Sequence, residues 1–122
     1  KMGLPADESS HGGGFVLDCR ALPNPGREEY FAGLTGEDPA TIGWLEQRDE
    51  VQAFMTRVRD LFTQVVQTYQ HRSFTYLSIA FGCTGGQHRS VYCASSLAQY
   101  LEQIAGIKVN LNHRDIPEIV PP

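Results

Sequence analysis

The segment Phe74-Thr-Tyr-Leu-Ser-Ile-Ala-Phe81, followed at once by Gly82-Cys-Thr-Gly-Gly-Gln-His-Arg-Ser90, decides the fold of this chain. Its first half is rich in β-branched and aromatic residues and has the length of a buried strand. Beyond the glycine-containing loop, apolar residues recur at helical spacing, at Val91, Ala94, Leu97, Ala98, Leu101 and Ile104. A strand, a short loop and a helix in this order predict an α/β arrangement with the loop at the carboxyl end of the strand.

The upstream region predicts one further strand and two helices. Phe15–Cys19 is a short apolar run typical of a strand, and the prolines within residues 22–26 end it in a rigid loop. Asp38 and Pro39 are residue types that cap and begin a helix. A longer helix is indicated by apolar residues that share one face, at Val51, Phe54, Val58, Leu61, Phe62, Val65 and Tyr69.

The downstream region predicts a helix end and a third strand. Gly106 stands where a left-handed helix cap is expected, and Lys108–Leu111 is predicted as a strand. The order of strands and helices favours right-handed crossovers between parallel strands. We therefore predict an α/β fold, a layered sandwich with a small, mostly parallel sheet flanked by helices.

The composition indicates one globular domain. The 122 residues are 41% hydrophobic and 20% charged, values typical of a chain that can bury its own core. We expect residues 1–122 to form a single domain, with residues 1–14 as a flexible lead-in and residues 115–122 as a tail. No apolar run approaches the roughly 18 residues of a membrane span, and none follows a basic start as in a signal peptide. A soluble protein is therefore expected.

Charge and cysteine content limit the partners and the compartment. Ten Lys and Arg against 14 Asp and Glu give a net charge of −4, so RNA or phosphate binding requires a local basic cluster. Cys19, Cys83 and Cys93 are an odd number in a chain of this size. A disulfide framework is not expected, and a reducing, cytoplasmic location is.

The loop that follows the predicted strand 74–81 has the features of an anion site. Gly85 and Gly86 allow backbone N–H groups to turn inward, and a helix starting near Gln87 or His88 points its positive end at the same place. Arg89 adds a two-pronged cation suited to a phosphate or a carboxylate. The alternative interpretation is that the glycines serve only a tight strand-to-helix turn.

Two phosphate-handling loops have similar spacing. The P-loop match fails, because Gln87 stands at the second glycine and His88-Arg89 replaces the lysine step. Cys83 and Arg89 do have the Cys-x5-Arg spacing of cysteine phosphatases, in which the thiolate is the nucleophile and the arginine holds the transferring oxygens. However, Gly82 stands where such loops usually carry histidine, and no general-acid loop is evident. We favour Cys83 as a small residue that closes the strand, and we expect no catalysis.

Metal and cofactor chemistry is not indicated by the sequence. Cys83 and His88 are the only close thiol and imidazole pair, and no second pair has the spacing of metal ligands. We therefore expect no metal site and no cofactor.

Several motifs together resemble a known family. Gly82–Val91, with Asp18-Cys-Arg20, Leu22-Pro-Asn-Pro25, Leu34-Thr-Gly36 and His113-Arg114, closely resembles the C-terminal domain of the RapZ (YvcJ) family of RNase adapter proteins. The resemblance covers nearly the whole chain, and motifs in the same order make it more specific than one loop. In that family the domain follows an N-terminal P-loop nucleotide-binding domain, which this sequence lacks. The chain is then expected to be a stand-alone relative or an excised domain.

The resemblance implies a non-catalytic sensor or adapter domain. In that family the C-terminal domain senses the amino-sugar phosphate glucosamine-6-phosphate, binds a small regulatory RNA and contacts an RNase and a two-component system. By matching position, Asp18 would contact the sugar while the loop holds the phosphate, and His113 and Arg114 follow the last predicted strand to the same sheet edge. The candidate ligand-binding residues are Asp18, Arg20, Cys83, Thr84, Gly85, Gly86, Gln87, His88, Arg89, Ser90, His113 and Arg114.

Two departures from the family pattern bear on function. Gly26 stands where the family usually has an aromatic residue or histidine, which removes one sugar contact. Enterobacterial members of the family end in a tail rich in lysine and arginine, whereas this chain has Asp115-Ile-Pro-Glu118 and a Pro-Pro end. We therefore expect this chain to retain the anion pocket rather than the RNA-binding role. Two alternatives stay open: a cysteine phosphatase, and an accessory domain of a larger ATP-binding or kinase protein.

Overall fold

The computed structural model describes residues 14–25, 29–83 and 88–113. Within these ranges the elements are, in chain order, β1 (Phe15–Asp18), a 3-10 helix (Glu29–Phe31), α1 (Pro39–Glu46), α2 (Asp49–His71), β2 (Ile79–Gly82) and α3 (Arg89–Leu101). None of the helices in these ranges has both the length and the apolar character to cross a membrane. The predicted tail and all but the last residue of the predicted lead-in lie outside the described residues.

β1 and β2 form a parallel two-stranded sheet. Phe15 aligns with Ile79 and Asp18 with Gly82. The ladder continues one step further, because the N–H of Cys19 donates to the Gly82 carbonyl at 2.7 Å. Parallel strands need a long crossover, which α1 and α2 supply between β1 and β2. The predicted small α/β fold with a parallel sheet is confirmed.

α2 provides the largest face of the core. Its buried residues recur every three or four positions, at Val51, Met55, Val58, Phe62 and Val66. The ring of Phe62 meets that of Phe15 edge to face, with centroids 5.1 Å apart, so this helix packs directly on β1. The helix begins at Asp49, two residues before the apolar pattern, where acidic side chains favour a helix N-terminus.

α1 begins where the sequence predicts. Asp38 is the N-cap residue and Pro39 the first helical residue. The Asp38 side chain does not cap the helix; its Oδ2 accepts the backbone N–H of Thr35 at 2.6 Å instead. The carboxylate therefore closes the turn that precedes the helix.

The predicted strand 74–81 is wrong in its first half. Only Ile79–Gly82 pairs with β1, and residues 74–78 have no regular structure. The N–H of Phe74 donates to the Tyr69 carbonyl at 2.9 Å, and the two rings meet edge to face at 5.1 Å. The start of this stretch therefore packs on the end of α2. It does not extend β2, because the four residues of β1 can pair with only a few residues of a second strand, whatever the strand propensity of the others.

The predicted strand Lys108–Leu111 is also wrong. Residues 107–113 carry no regular structure. Ile107 and Val109 are half-buried, while Lys108 and residues 110–112 are exposed. The alternation of a strand is thus present, but the backbone has no ladder partner among the residues that the structure describes.

α3 ends earlier than predicted. Leu101 is its last residue, so Ile104 lies beyond the helix. Gly106 has the predicted left-handed conformation, with φ of 84°. It belongs to a later turn, in which the carbonyl of Ala105 accepts a hydrogen bond from Nε2 of Gln70 at 2.9 Å. The conformation is confirmed, whereas the role of Gly106 as a helix cap is wrong.

Candidate functional site

The site lies where β2 ends and α3 begins. Gly82 is the last residue of β2, and Arg89 is the first residue of α3, with His88 at its N-cap position. Outside the described residues lie the predicted loop residues Thr84, Gly85, Gly86 and Gln87. The His88 side chain does not cap this 13-residue helix. It therefore leaves backbone N–H groups of the first turn, and the positive end of the helix dipole, available to an anion.

Cys83 joins the strand end to the first turn of α3. Its Sγ accepts the backbone N–H of Ser90 at 3.4 Å and donates to the Ser90 hydroxyl at 3.3 Å. An N–H group at a helix N-terminus also stabilises a thiolate on the same sulfur. The structure therefore brings these two predicted site residues together.

Arg89 is buried, with only 4% of its surface exposed. Its Nη1 donates to the carbonyls of Arg20 at 2.9 Å and Leu22 at 3.0 Å, and at 3.4 Å to that of Cys19. The guanidinium therefore supports the turn after β1, a role that the sequence pattern did not indicate. Its Nε has no hydrogen-bond partner, and Arg89 forms no ion pair within the described ranges.

Asp18 and Arg20 form an exposed ion pair at the end of β1. Nε and Nη2 of Arg20 donate to the carboxylate at 2.6–3.0 Å, and the Arg20 backbone N–H donates to Oδ1 at 2.9 Å. These bonds, the side-chain ones first, lower the pKa of Asp18 to about 2, and the charge of Arg89 adds a smaller lowering. Asp18 is therefore ionised at neutral pH. Arg20 binds the carboxylate oxygens with which, according to the family resemblance, Asp18 would contact a sugar.

His88 ties the start of α3 to the 3-10 helix. Its Nε2 lies 2.8 Å from the carbonyl oxygen of Phe31. A carbonyl only accepts hydrogen bonds, so Nε2 carries the proton. With 9% of its surface exposed, His88 packs inside the protein and anchors the loop end.

The Leu34-Thr-Gly36 motif packs against the first turn of α3. A Cβ atom on Gly36 would lie 2.5 Å from the backbone nitrogen of Tyr92 and 2.9 Å from Cβ of Val91. Real Cβ atoms do not approach so closely, so only glycine permits this contact. The motif therefore seats its turn on the helix that carries the site, a role the sequence alone did not reveal.

His113 approaches from the segment after α3. Its Nε2 lies 3.2 Å from Oγ of Ser95 and 3.2 Å from Oε1 of Glu37. The strand expected to position it is not formed, and the hydrogen bond with Ser95 and the contact with the Glu37 carboxylate hold it instead. Its predicted neighbour Arg114 lies outside the described residues.

A cavity of about 1010 Å³ is bounded by β2, α2, α3 and residues 107–113. Cys83, Ser90 and His113 line it, so the structure brings these three predicted residues to one space. Its walls also include Phe74 and Tyr76, which the sequence assigned to a buried strand. The other described candidates lie outside its lining: Asp18, Arg20, His88 and Arg89.

The thiol and imidazole groups of the described ranges do not form a metal centre. No group of three His, Cys, Asp or Glu side chains there could hold a metal ion. None of the three cysteines is in a disulfide. What the site offers chemically is a helix N-terminus, a buried guanidinium and a half-buried thiol.

Curated proteins from several bacteria are similar to this chain. A nucleotide-binding protein of Thioalkalivibrio sulfidiphilus is 37% identical over 116 residues, which are 95% of this chain and 39% of that protein. Nucleotide-binding proteins of Solibacter usitatus and Laribacter hongkongensis are each 39% identical over 116 residues, covering 95% of this chain and 34% and 40% of their own lengths. The chain thus spans two-fifths or less of these relatives.

The family comparison covers every described part of the site. The model of the RapZ C-terminal domain matches residues 1–117, a range that includes both strand ends, the loop and the start of α3. It also includes His113 and the motif around Gly36. This match confirms the resemblance seen in the motifs, and the chain belongs to the RapZ C-terminal domain family.

Proposed function

We propose that this domain binds a phosphorylated small molecule between β2 and α3 and acts as a non-catalytic sensor or adapter. The observation that carries the proposal is the state of Arg89. It is a buried cation at the first residue of α3, and among the described residues its Nε has no hydrogen-bond partner and no carboxylate forms an ion pair with it. A bound anion supplies what this group lacks.

The energetics of burial support an anion at this place. Removing a charged group from water costs several kcal/mol unless partners compensate for the lost hydration. Among the described residues, the carbonyls of Cys19, Arg20 and Leu22 compensate at Nη1 of Arg89. A phosphate neutralises the charge, accepts further hydrogen bonds and gains from the positive end of α3.

The surroundings fit a phosphosugar of the glucosamine-6-phosphate class. Asp18 is ionised and exposed, so it can accept hydrogen bonds from hydroxyl groups or pair with an amine once Arg20 turns away. Arg20 is itself exposed and can turn towards the phosphate. The adjoining cavity, with Cys83, Ser90 and His113 in its lining, has room for a sugar ring.

The competing ligand is a nucleotide. The relatives named above are called nucleotide-binding proteins, but they are more than twice as long as this chain. We propose that the nucleotide binds in the part of such a protein that this chain does not match.

For a longer protein that contains this domain, we propose a regulatory RNA or protein partner, a preceding nucleotide-binding or kinase domain, and a cytoplasmic location. The net charge of −4 makes a protein partner the better fit of the two.

A cysteine phosphatase is the second candidate, because the backbone N–H of Ser90 donates to Sγ of Cys83 as in a thiolate-holding loop. Against it, the guanidinium of Arg89 is engaged with backbone carbonyls of the β1 turn. That leaves only part of the arginine for a transferring phosphoryl group.

One titration separates these functions. Glucosamine-6-phosphate, glucosamine and inorganic phosphate are added in turn to the 15N-labelled chain, and backbone amide shifts are followed. We expect shifts centred on residues 84–90 and Asp18 that are larger for the phosphosugar than for either part alone. The 31P spectrum of the same sample reports turnover, and we expect the ester to stay intact.

Each other outcome of the titration has a definite meaning. Shifts with inorganic phosphate alone would retain the anion site and remove the sugar. Release of phosphate from the ester, lost in Cys83→Ser, would establish the phosphatase instead. The absence of any shift near residues 84–90 would contradict the proposed function.

A further inference from the structure

Three cysteines lie close to one another where β1 and β2 end and α3 begins. Cys19 directly follows β1, Cys83 directly follows β2, and Cys93 lies near the start of α3. Cys19 and Cys93 are fully buried, whereas Cys83 is half-buried and lines the large cavity. Of the three, Cys83 is therefore the thiol that a small oxidant reaches first.

Cys19 and Cys83 are the residues that directly follow the paired ends of the two strands. Asp18 aligns with Gly82, and the N–H of Cys19 extends this ladder to the Gly82 carbonyl. Extending this register by one step pairs Cys19 with Cys83, for which the ordinary strand spacing is about 4.8 Å. A disulfide needs Cα atoms roughly 4.4–6.8 Å apart. Side chains alternate between the faces of a sheet, so these two point to the same side.

One backbone contact of Cys83 suits a thiolate. Its Sγ accepts the N–H of Ser90 at 3.4 Å, in the first turn of α3, and the thiol donates to the Ser90 hydroxyl at 3.3 Å. The thiolate is the reactive form towards peroxides, and the N-terminal end of a helix stabilises it. Exposure to the cavity and stabilisation of the thiolate thus occur at the same residue.

Cys93 is the poorer partner for an oxidised Cys83. A hydrogen bond with Cys19, burial and the neighbouring thiols of Cys19 and Cys83 raise the pKa of Cys93. Its sulfur therefore stays protonated, and a protonated thiol is a weak nucleophile. Cys19 is the register neighbour of Cys83 across the sheet, and this position makes its sulfur the partner that we infer.

We propose that Cys83 is an oxidant-reactive thiol and that Cys19 resolves its oxidised form as an intramolecular disulfide. A hydroperoxide is the oxidant. The Cys83 thiolate attacks one peroxide oxygen, the O–O bond breaks, and with hydrogen peroxide the leaving hydroxide takes a proton to become water. The product is the sulfenic acid of Cys83.

The second step closes the disulfide. The sulfur of Cys19 loses its proton and attacks the sulfur of Cys83, the S–O bond breaks, and a second water leaves. Two thiols have then given two electrons to one peroxide. The bond joins the ends of β1 and β2, and its formation does not depend on phosphate binding.

Peptide mapping without reduction tests the proposal. The reduced chain and its Cys19→Ser and Cys93→Ser variants are treated with equimolar hydrogen peroxide, alkylated and digested. We expect a Cys19–Cys83 peptide of monomeric origin in the unmutated chain and in the Cys93→Ser control. In Cys19→Ser we expect the sulfenic acid of Cys83, trapped by dimedone, and no disulfide.

Two results would overturn the proposal. One is a Cys83 that peroxide leaves unmodified under conditions that oxidise a free thiol such as glutathione. The other is a disulfide of Cys83 with Cys93, or with a second chain, in place of Cys19. Should a serine variant fail to fold, the peptide map of the unmutated chain still identifies the pair.

Discussion

Arg89 contributes to the molecule in two ways through different nitrogens. Nη1 donates to three carbonyls of the turn after β1, while Nε lies buried at the start of α3 with no partner in the part of the chain that the structure describes. The spacing of Arg89 from Cys83 indicated an anion site, but its carbonyl acceptors lie nearly 70 positions away in the sequence. No local pattern reports contacts at that separation, so this structural role could not be predicted.

The ion pair of Asp18 with Arg20 leads to a prediction about pH. A depressed pKa means that the ionised carboxylate contributes stability above its ordinary value of 3.8, and that the contribution is lost as pH falls towards about 2. We expect the 13C carboxyl signal of Asp18 to titrate with a midpoint near 2. In Arg20→Gln the midpoint should rise towards 3.8, because the largest cause of the shift is removed.

The matched control for this titration is Arg72→Gln, which alters an exposed arginine just beyond α2. It should leave the Asp18 midpoint unchanged. An Asp18 midpoint near its ordinary value in the unmutated chain would show that the ion pair does not persist in solution.

At the scale of elements, helices were predicted more accurately than strands. α2 follows from apolar residues spaced three and four apart, a signal contained within the helix itself. β2 is half as long as predicted, and the expected third strand is missing from the described residues. Strand length depends on the partner strand, and the four residues of β1 are remote in sequence from both places.

The contact of Gly36 with α3 gives a prediction about stability. In Gly36→Ala the new methyl group would meet the backbone nitrogen of Tyr92 and the side chain of Val91. Either the turn or the first turn of α3 must move, which we expect to destabilise the domain by about 1–3 kcal/mol. Urea unfolding followed by circular dichroism measures the change.

Gly43→Ala is the control for that substitution. Gly43 lies within α1, and a Cβ there meets no heavy atom within 4 Å. Alanine should stabilise this helix by roughly 0.5–1 kcal/mol. Equal effects of the two substitutions would contradict the close packing of the 34–36 turn on α3.

At the scale of the whole molecule, the candidate site draws on parts that are distant in sequence. The end of β1 pairs with the end of β2, and the start of α3 and the segment that carries His113 border the same cavity as the end of β2. The sequence motifs located the loop and its family, because strand-to-helix connections are local. They did not separate the residues that line the cavity from those that support the turn after β1, since that division depends on side-chain direction.

The affinity of the Arg89→Lys variant for glucosamine-6-phosphate, measured by calorimetry, tests the central claim most directly. Lysine keeps the charge but loses the guanidinium fork, so we expect binding at least about 10-fold weaker than in the unmutated chain. Arg57→Lys, on the exposed side of α2, should bind as the unmutated chain does, and circular dichroism checks both folds. If Arg89→Lys does not fold, a rise in the melting temperature of the unmutated chain with phosphosugar is the expected result. Equal affinities in the two folded variants, or a melting temperature that the ligand leaves unchanged, would contradict an anion site at the start of α3.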